Sequence, residues 1–107
     1  MKIPPRVTIG GQQVDVLFVH HINDNLLGVC CLASGYINIA ETFHNGEKQQ
    51  SRSSMENTFI HELLHCCLDS IGRSDLSNDE VFVNSLASML TGPVQELINY
   101  NLSNEEG

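Results

Sequence analysis

The 107-residue sequence contains no long apolar run. No stretch approaches the roughly eighteen apolar residues that mark a membrane-spanning helix. The first residues, Met1-Lys2-Ile3-Pro4-Pro5, have no apolar signal core behind their single lysine. We therefore expect a soluble, cytoplasmic protein without a membrane partner. The length suits one domain over residues 1–107, with a short flexible tail over about residues 103–107.

Positive charge is scarce in this sequence. Five lysines and arginines stand against thirteen aspartates and glutamates, which gives a formal net charge of -8 at pH 7. Such a surface repels the phosphates of nucleic acids and the head groups of anionic lipids. Nucleic acid is therefore not expected as a partner.

The sequence also lacks a CxxC motif. Its four cysteines form two adjacent pairs, Cys30-Cys31 and Cys66-Cys67. Neighbouring side chains on a strand or a helix point in different directions, so neither pair suits a structural zinc knuckle. We expect small, half-buried free thiols of a reducing compartment.

The first forty residues predict a small twisted sheet of three or four strands. The expected strands are residues 7–9, 14–19, 28–32 and 36–40. Gly10-Gly11 can adopt the positive φ that a tight turn needs between the first two strands. The second strand is apolar on both faces and should lie inside the sheet. The fourth alternates with period two, so only one of its faces should be buried.

Helices are expected after a polar loop. Residues 53–71 carry apolar side chains over most of a helical circumference, with a capping box of Ser53 and Glu56 at the start and Gly72 after the end. A second helix should begin near residue 80 and break at Gly92-Pro93. A short last helix should follow over residues 94–102. Strands followed by helices predict an α+β fold.

The first helix carries the sequence HELLH, formed by residues 61–65. Residues four apart lie one above the other on a helix, so His61 and His65 can bind one metal ion. A catalytic Zn²⁺ has three protein ligands and a water, and Glu62 beside them can act as general base for the zinc-bound water. The alternative is a polar stripe on a surface helix. We predict zinc, because three ionisable groups on an otherwise apolar helix are costly unless something pairs them.

The third zinc ligand must come from outside this motif. Leu68 and Ile71 stand where a metzincin would have its glycine and its third histidine, so that family is excluded. The remaining acidic candidates are Asp69, Asp75, Asp79 and Glu80.

Glu80 is the predicted third ligand. It opens the next helix within reach of the metal, and Asn84 follows one turn later on the same face. Asn84 can hydrogen-bond the far nitrogen of a ligand histidine and so orient the ring. The alternative is that Glu80 only caps its helix in a capping box with Ser77.

With HELLH and the Glu80 and Asn84 pair, residues 36–90 resemble the gluzincin branch of the zincin metallopeptidases. The chain looks most like the single-domain minigluzincins and, more loosely, like small phage and bacterial HELLH proteins. The resemblance implies a minimal zincin-like domain in which Glu62 acts as general base and acid. His61, His65 and Glu80 would bind Zn²⁺. It also implies that an extended peptide or protein substrate pairs with an edge strand. That strand would consist of Tyr36, Ile37, Asn38, Ile39 and Ala40.

Two departures from the family pattern leave a second function open. Asn84 stands where larger gluzincins usually have an aspartate. A carboxylate raises the basicity of the zinc-binding histidine more than a neutral amide does. No oxyanion donor can be placed by motif, although Tyr36, His44 and Tyr100 are candidates. The rival is a catalytically weak or inactive interaction or regulatory module in which zinc is a structural staple. The sequence marks neither a substrate nor an oligomeric state.

Overall fold

The computed structural model describes residues 2–23, 26–44 and 46–106, with side chains as far as Ser103. The strands are β1 (Arg6–Ile9), β2 (Gln12–Val19), β3 (Gly28–Cys31), β4 (Tyr36–Ala40), β5 (Thr42–Phe43) and β6 (Lys48–Gln49). The helices are α1 (Arg52–Ser70), α2 (Ser74–Ser77) and α3 (Glu80–Glu106). The predicted α+β class is confirmed.

Strands β1 to β4 form one mixed sheet in the order β1-β2-β4-β3. β1 and β2 are an antiparallel hairpin, β2 and β4 run parallel, and β3 and β4 are antiparallel. The predicted hairpin turn is confirmed, with Gly10 at φ 57° and Gly11 at φ 82° in the left-handed region that glycine tolerates. β2 is an inner strand as predicted. Only one of its faces is buried, however, because Leu17 on the other face is 51% exposed.

The sheet order contradicts the predicted substrate strand. β4 is paired on both sides, so that Ile37 lies opposite Val16 of β2 and opposite Cys30 of β3. A strand accepts a peptide only along an unpaired edge, so β4 cannot do so. The residues wrongly expected at the edge are Tyr36, Ile37, Asn38, Ile39 and Ala40. The physical reason is burial: Ile37 and Ile39 are fully buried, which an interior strand achieves best.

The apolar core lies between the sheet and the helices. Its side chains are Ile9, Val14, Val16, Ile37, Ile39 and Ala40 of the sheet, Phe59, Ile60 and Cys66 of α1, and Val83 and Ala87 of α3. α1 contacts β1, β3 and β4 as well as α2 and α3. It is therefore the central helix that its apolar circumference predicts, and close packing holds it in place.

The start of α1 differs from the prediction by two residues. Ser51 is the N-cap, and its side chain accepts a hydrogen bond of 3.1 Å from the backbone N–H of Ser54. The expected capping box at Ser53 is therefore wrong. Glu56, its expected partner, is instead buried and accepts a hydrogen bond of 2.9 Å from the side chain of Gln95. The predicted end is confirmed, because Gly72 follows α1 at φ 77°.

α3 is one continuous helix, so the break expected at Gly92-Pro93 is wrong. Proline has no N–H, which leaves the carbonyl of Met89 without its helical donor. Met89 and Pro93 are both exposed, and water can hydrate a carbonyl on that side. The helix includes residues 103–106 of the expected tail, while Gly107 lies outside the described residues. No helix in the described ranges has both the length and the apolarity for crossing a membrane.

The continuity of α3 can be tested at Gly92. Gly92→Ala should stabilise the protein by about 0.5–1 kcal/mol, because alanine favours a helix interior and the added Cβ meets nothing within 4 Å. The matched change Gly72→Ala also has open space, but at φ 77° it should destabilise by about 1 kcal/mol. Urea unfolding of both variants measures the two effects. A loss of stability in Gly92→Ala would indicate a chain break at that residue.

Candidate metal centre

Three elements surround a cleft of about 620 Å³. α1 forms its floor with the HELLH residues, β3 forms one wall, and the segment from Ser77 to the first turn of α3 forms the other. The end of α1 at Gly72 and the short helix α2 return the chain so that Glu80 faces His65. The fold thus brings the motif and the predicted third ligand together.

The two histidines and Glu80 form a compact ligand group. Their nearest atoms are separated by 3.1 Å between the Nε2 atoms of His61 and His65, 3.4 Å from His61 Nε2 to Glu80 Oε2, and 3.2 Å from His65 Nε2 to Glu80 Oε1. A tetrahedral ion that binds its ligands at roughly 2.0–2.1 Å separates them by about 3.3–3.4 Å. The two rings approach different oxygens of Glu80, and one ligand atom from each of the three residues lies within 4.8 Å of the others, which is close enough for one metal ion. Among the described residues, this is the one group of three such side chains that can hold a metal ion.

The other acidic candidates are engaged differently. Asp79 caps α3, because its Oδ1 accepts a hydrogen bond of 3.1 Å from the N–H of Phe82. The capping role considered for Glu80 is therefore filled by its neighbour. Asp75 forms an ion pair of 2.9 Å with Arg73. Asp69 lines the cleft but does not belong to the ligand group.

His65 has a hydrogen-bond partner outside the ligand group. The buried Ser77 hydroxyl lies 3.1 Å from Nδ1 of His65, and Asn84 lines the same cleft as His61. Such partners fix the tautomer and the ring orientation. The sequence indicated Asn84 by its helical spacing. It did not indicate Ser77, which lies in another helix. A serine just before a helix is typical of an N-cap, so its type does not mark it as a partner of His65.

The surroundings keep His61 in the neutral form that binds metal. Burial lowers the pKa of His61, and the neighbouring charge of His65 lowers it further. The carboxylate of Glu80 and a hydrogen bond that the ring donates to the side-chain oxygen of Asn84 act in the opposite direction. The net direction is downward, so the imidazole is available as a ligand at neutral pH.

Glu62 lies where β3 crosses α1 and is only 7% exposed. A Cβ on Gly28 of β3 would lie 2.8 Å from Cγ of Glu62 and 2.7 Å from Cγ2 of Thr58. Only glycine therefore lets β3 approach α1 at this point. A glycine within a strand pattern is the signal that could have revealed this contact from the sequence.

The proton affinity of Glu62 depends on the same crossing. Burial raises the pKa of Glu62 to about 7. A hydrogen bond with the Cys30 thiol lowers that pKa, and the charge of Glu80 raises it. A carboxyl group with a pKa near neutrality can both accept and return a proton at physiological pH.

The cysteines are free thiols, as the sequence predicts. Cys30 and Cys31 are half-buried, Cys66 is buried, and Cys67 is exposed. A hydrogen bond with Cys66, together with burial, raises the pKa of Cys30. Cys30 is therefore a neutral thiol that lines the same cleft as Glu62.

The expected oxyanion donors are not brought to the cleft. Tyr36, His44 and Tyr100 are absent from its lining, and the described lining residues include no tyrosine and no histidine besides the two ligands. The neutral side chains there include Asn57, Ser77 and Asn84.

No protein-family model, curated protein or solved structure matches this chain. Its chemistry therefore has to be inferred from the residues of the cleft and their geometry.

Glu80 can be tested as a metal ligand with Zn²⁺ as the probe. Glu80→Gln should weaken Zn²⁺ binding at least about tenfold, because a neutral amide is a poor ligand for a dication. Asp69→Asn, which removes a carboxylate from the same cleft, should leave the affinity within about twofold, since exposed charges interact weakly. Calorimetric titration of the metal-free proteins gives both affinities. Equal losses in the two variants would contradict the assignment of Glu80.

Proposed function

We propose that this protein is a zinc-dependent peptidase. The observation that carries the proposal is the pairing of a three-residue ligand group with a buried glutamate at the floor of one open cleft. Structural zinc sites usually have four protein ligands, whereas catalytic sites have three and leave one position open. His61, His65 and Glu80 supply three, and the described residues supply no fourth.

Zinc is the metal that best suits this donor set. Two imidazoles and one carboxylate form a borderline-soft, tetrahedral site, whereas Ca²⁺ and Mg²⁺ take mainly oxygen ligands in larger numbers. When bound there, zinc would polarise the scissile carbonyl and make the attacking water more acidic.

Glu62 is the proposed general base and acid. Its carboxylate is 3.8 Å from Nε2 of His61, so it borders the ligand group without belonging to it. It would accept a proton from the attacking water and later deliver that proton to the leaving amine. Gly28 acts as a positioning residue, because the close approach of β3 holds the carboxylate in place.

β3 is the proposed substrate strand in place of β4. It pairs only with β4 within the described ranges, and its residues border the cleft. A peptide could extend the sheet along this free edge and so lie across the ligand group. This supports an extended peptide or protein as the substrate.

An interaction module with a structural metal is the second candidate. The cleft lacks a tyrosine or an additional histidine that could stabilise an oxyanion, and that observation favours it. The open side of the ligand group favours the peptidase. Neutral donors such as Asn57 and Asn84 also border the cleft and can donate hydrogen bonds to a carbonyl oxygen.

The proposal predicts that Glu62→Gln separates catalysis from metal binding. The amide keeps the size of the side chain but cannot accept a proton, so cleavage of a mixed peptide library should fall by about 100-fold or more. Zn²⁺ content should remain near one ion per chain, since the ligands are unchanged. The measurement is library cleavage and bound Zn²⁺ for the parent and the variant.

Glu96→Gln is the matched control. Glu96 is an exposed glutamate of α3 that does not line the cleft, so its replacement should leave cleavage unchanged. Full activity in Glu62→Gln would refute the mechanism. A Zn²⁺-loaded parent that binds but never cleaves library peptides would favour the interaction module.

A further inference from the structure

The cleft has an excess of negative charge that a metal ion would not remove. Glu62, Glu80 and Asp69 line it, and no lysine or arginine is among the described lining residues. A dication at the ligand group would be balanced by Glu80 and the adjacent Glu62. Asp69 is the carboxylate that stays uncompensated.

The other three aspartates that the structure describes each have a partner, and that of Asp79 is the backbone N–H of Phe82. Asp15 pairs with Arg6 at 2.9 Å, and Asp75 pairs with Arg73 at the same distance. Within the described residues, Asp69 has no such ion pair although it is exposed at the cleft. A cationic group of a bound molecule could supply the missing partner.

The position of Asp69 along the cleft indicates which part of a peptide it would meet. Asp69 follows His65 by one helical turn, which is roughly 6 Å along α1. β3 runs beside α1 in the same direction, because Gly28 lies against Thr58 and Cys30 lies further on, near Cys66. A strand rises about 3.3 Å per residue. In a peptide paired with β3, the residue two positions away from the ligand group would therefore lie beside Asp69.

The opposite end of the cleft has a different character. Leu26 and Leu27 line it there, each 40% exposed. Exposed leucines favour an apolar side chain. The two ends of the cleft therefore differ in charge. Asp69 lies at one end, and the two leucines lie at the other.

We propose that Asp69 selects peptide substrates that carry a lysine or arginine about two residues from the cleaved bond. This inference rests on the proposed peptidase function and names the substrate class of the same cleft. Asp69 is the residue that contacts the basic side chain. If the peptide pairs antiparallel with β3, the commoner arrangement, the basic residue lies on the N-terminal side of the cleaved bond.

The test uses Zn²⁺-loaded protein and peptides that differ at one position. Lysine, glutamine or glutamate is placed at each of the three residues on either side of the cleaved bond, and kcat/KM is measured. The parent should prefer lysine to glutamine by about two- to fivefold at one position, because exposed ion pairs contribute modestly. The preference should shrink at high salt.

Asp69→Asn should lower kcat/KM for the lysine peptides to that of the glutamine peptides, so that the preference is lost. Asp15→Asn makes the same chemical change outside the cleft and should retain the preference. The inference is overturned if the parent shows no lysine preference at any position. It is also overturned if Asp69→Asn keeps that preference.

Binding separates this inference from the proposed function. The affinities of the same peptides for Zn²⁺-loaded Glu62→Gln are measured by fluorescence anisotropy, with and without Asp69→Asn. Selective, Asp69-dependent binding without any cleavage by the parent would refute the peptidase and support the charge selection. Cleavage without charge preference would support the peptidase and overturn the role of Asp69, as would binding that does not depend on Asp69.

Discussion

The close crossing of β3 over α1 is the contact on which the rest of the site depends. Gly28 leaves no space for a side chain above Glu62, so the strand shields the carboxylate from water. That shielding disfavours the charged form and brings the pKa of Glu62 to about 7. Cys30, two residues along β3, lines the same cleft and lowers the pKa of that carboxyl group. β3 therefore forms one wall of the cleft and also raises the pKa of Glu62 on its floor.

The ligand group depends on a second constraint, the return of the chain after α1. Gly72 ends the helix, α2 spans the gap, and Asp79 caps α3 so that Glu80 begins it opposite the histidines. Ser77 lies in this return and holds His65. In a domain this small, a metal ion that joins α1 to α3 would add to stability, because coordination is possible only in the folded arrangement. A metal ion bound at this group would therefore link its binding to the packing of the two helices.

The sheet order decides which strand faces the cleft. Period-two alternation correctly indicated that residues 36–40 form a strand with one buried isoleucine face. Alternation describes the two faces of a strand but contains no information about its two edges. β3 lies on the outer side of β4, and the parallel pairing of β4 with β2 encloses β4. Among the described strands, the edge next to the cleft is therefore that of β3.

Local features are what the sequence determined by itself. The hairpin at Gly10-Gly11, the end of α1 at Gly72 and the convergence of His61 with His65 each follow from backbone preferences or helical spacing over a few residues. Only the tertiary structure decided that Ser77 orients His65, that Gly28 lies against Glu62 and that α3 continues past Pro93. These depend on which segments meet in space and on which surfaces remain exposed to water, and spacing along the chain does not encode either.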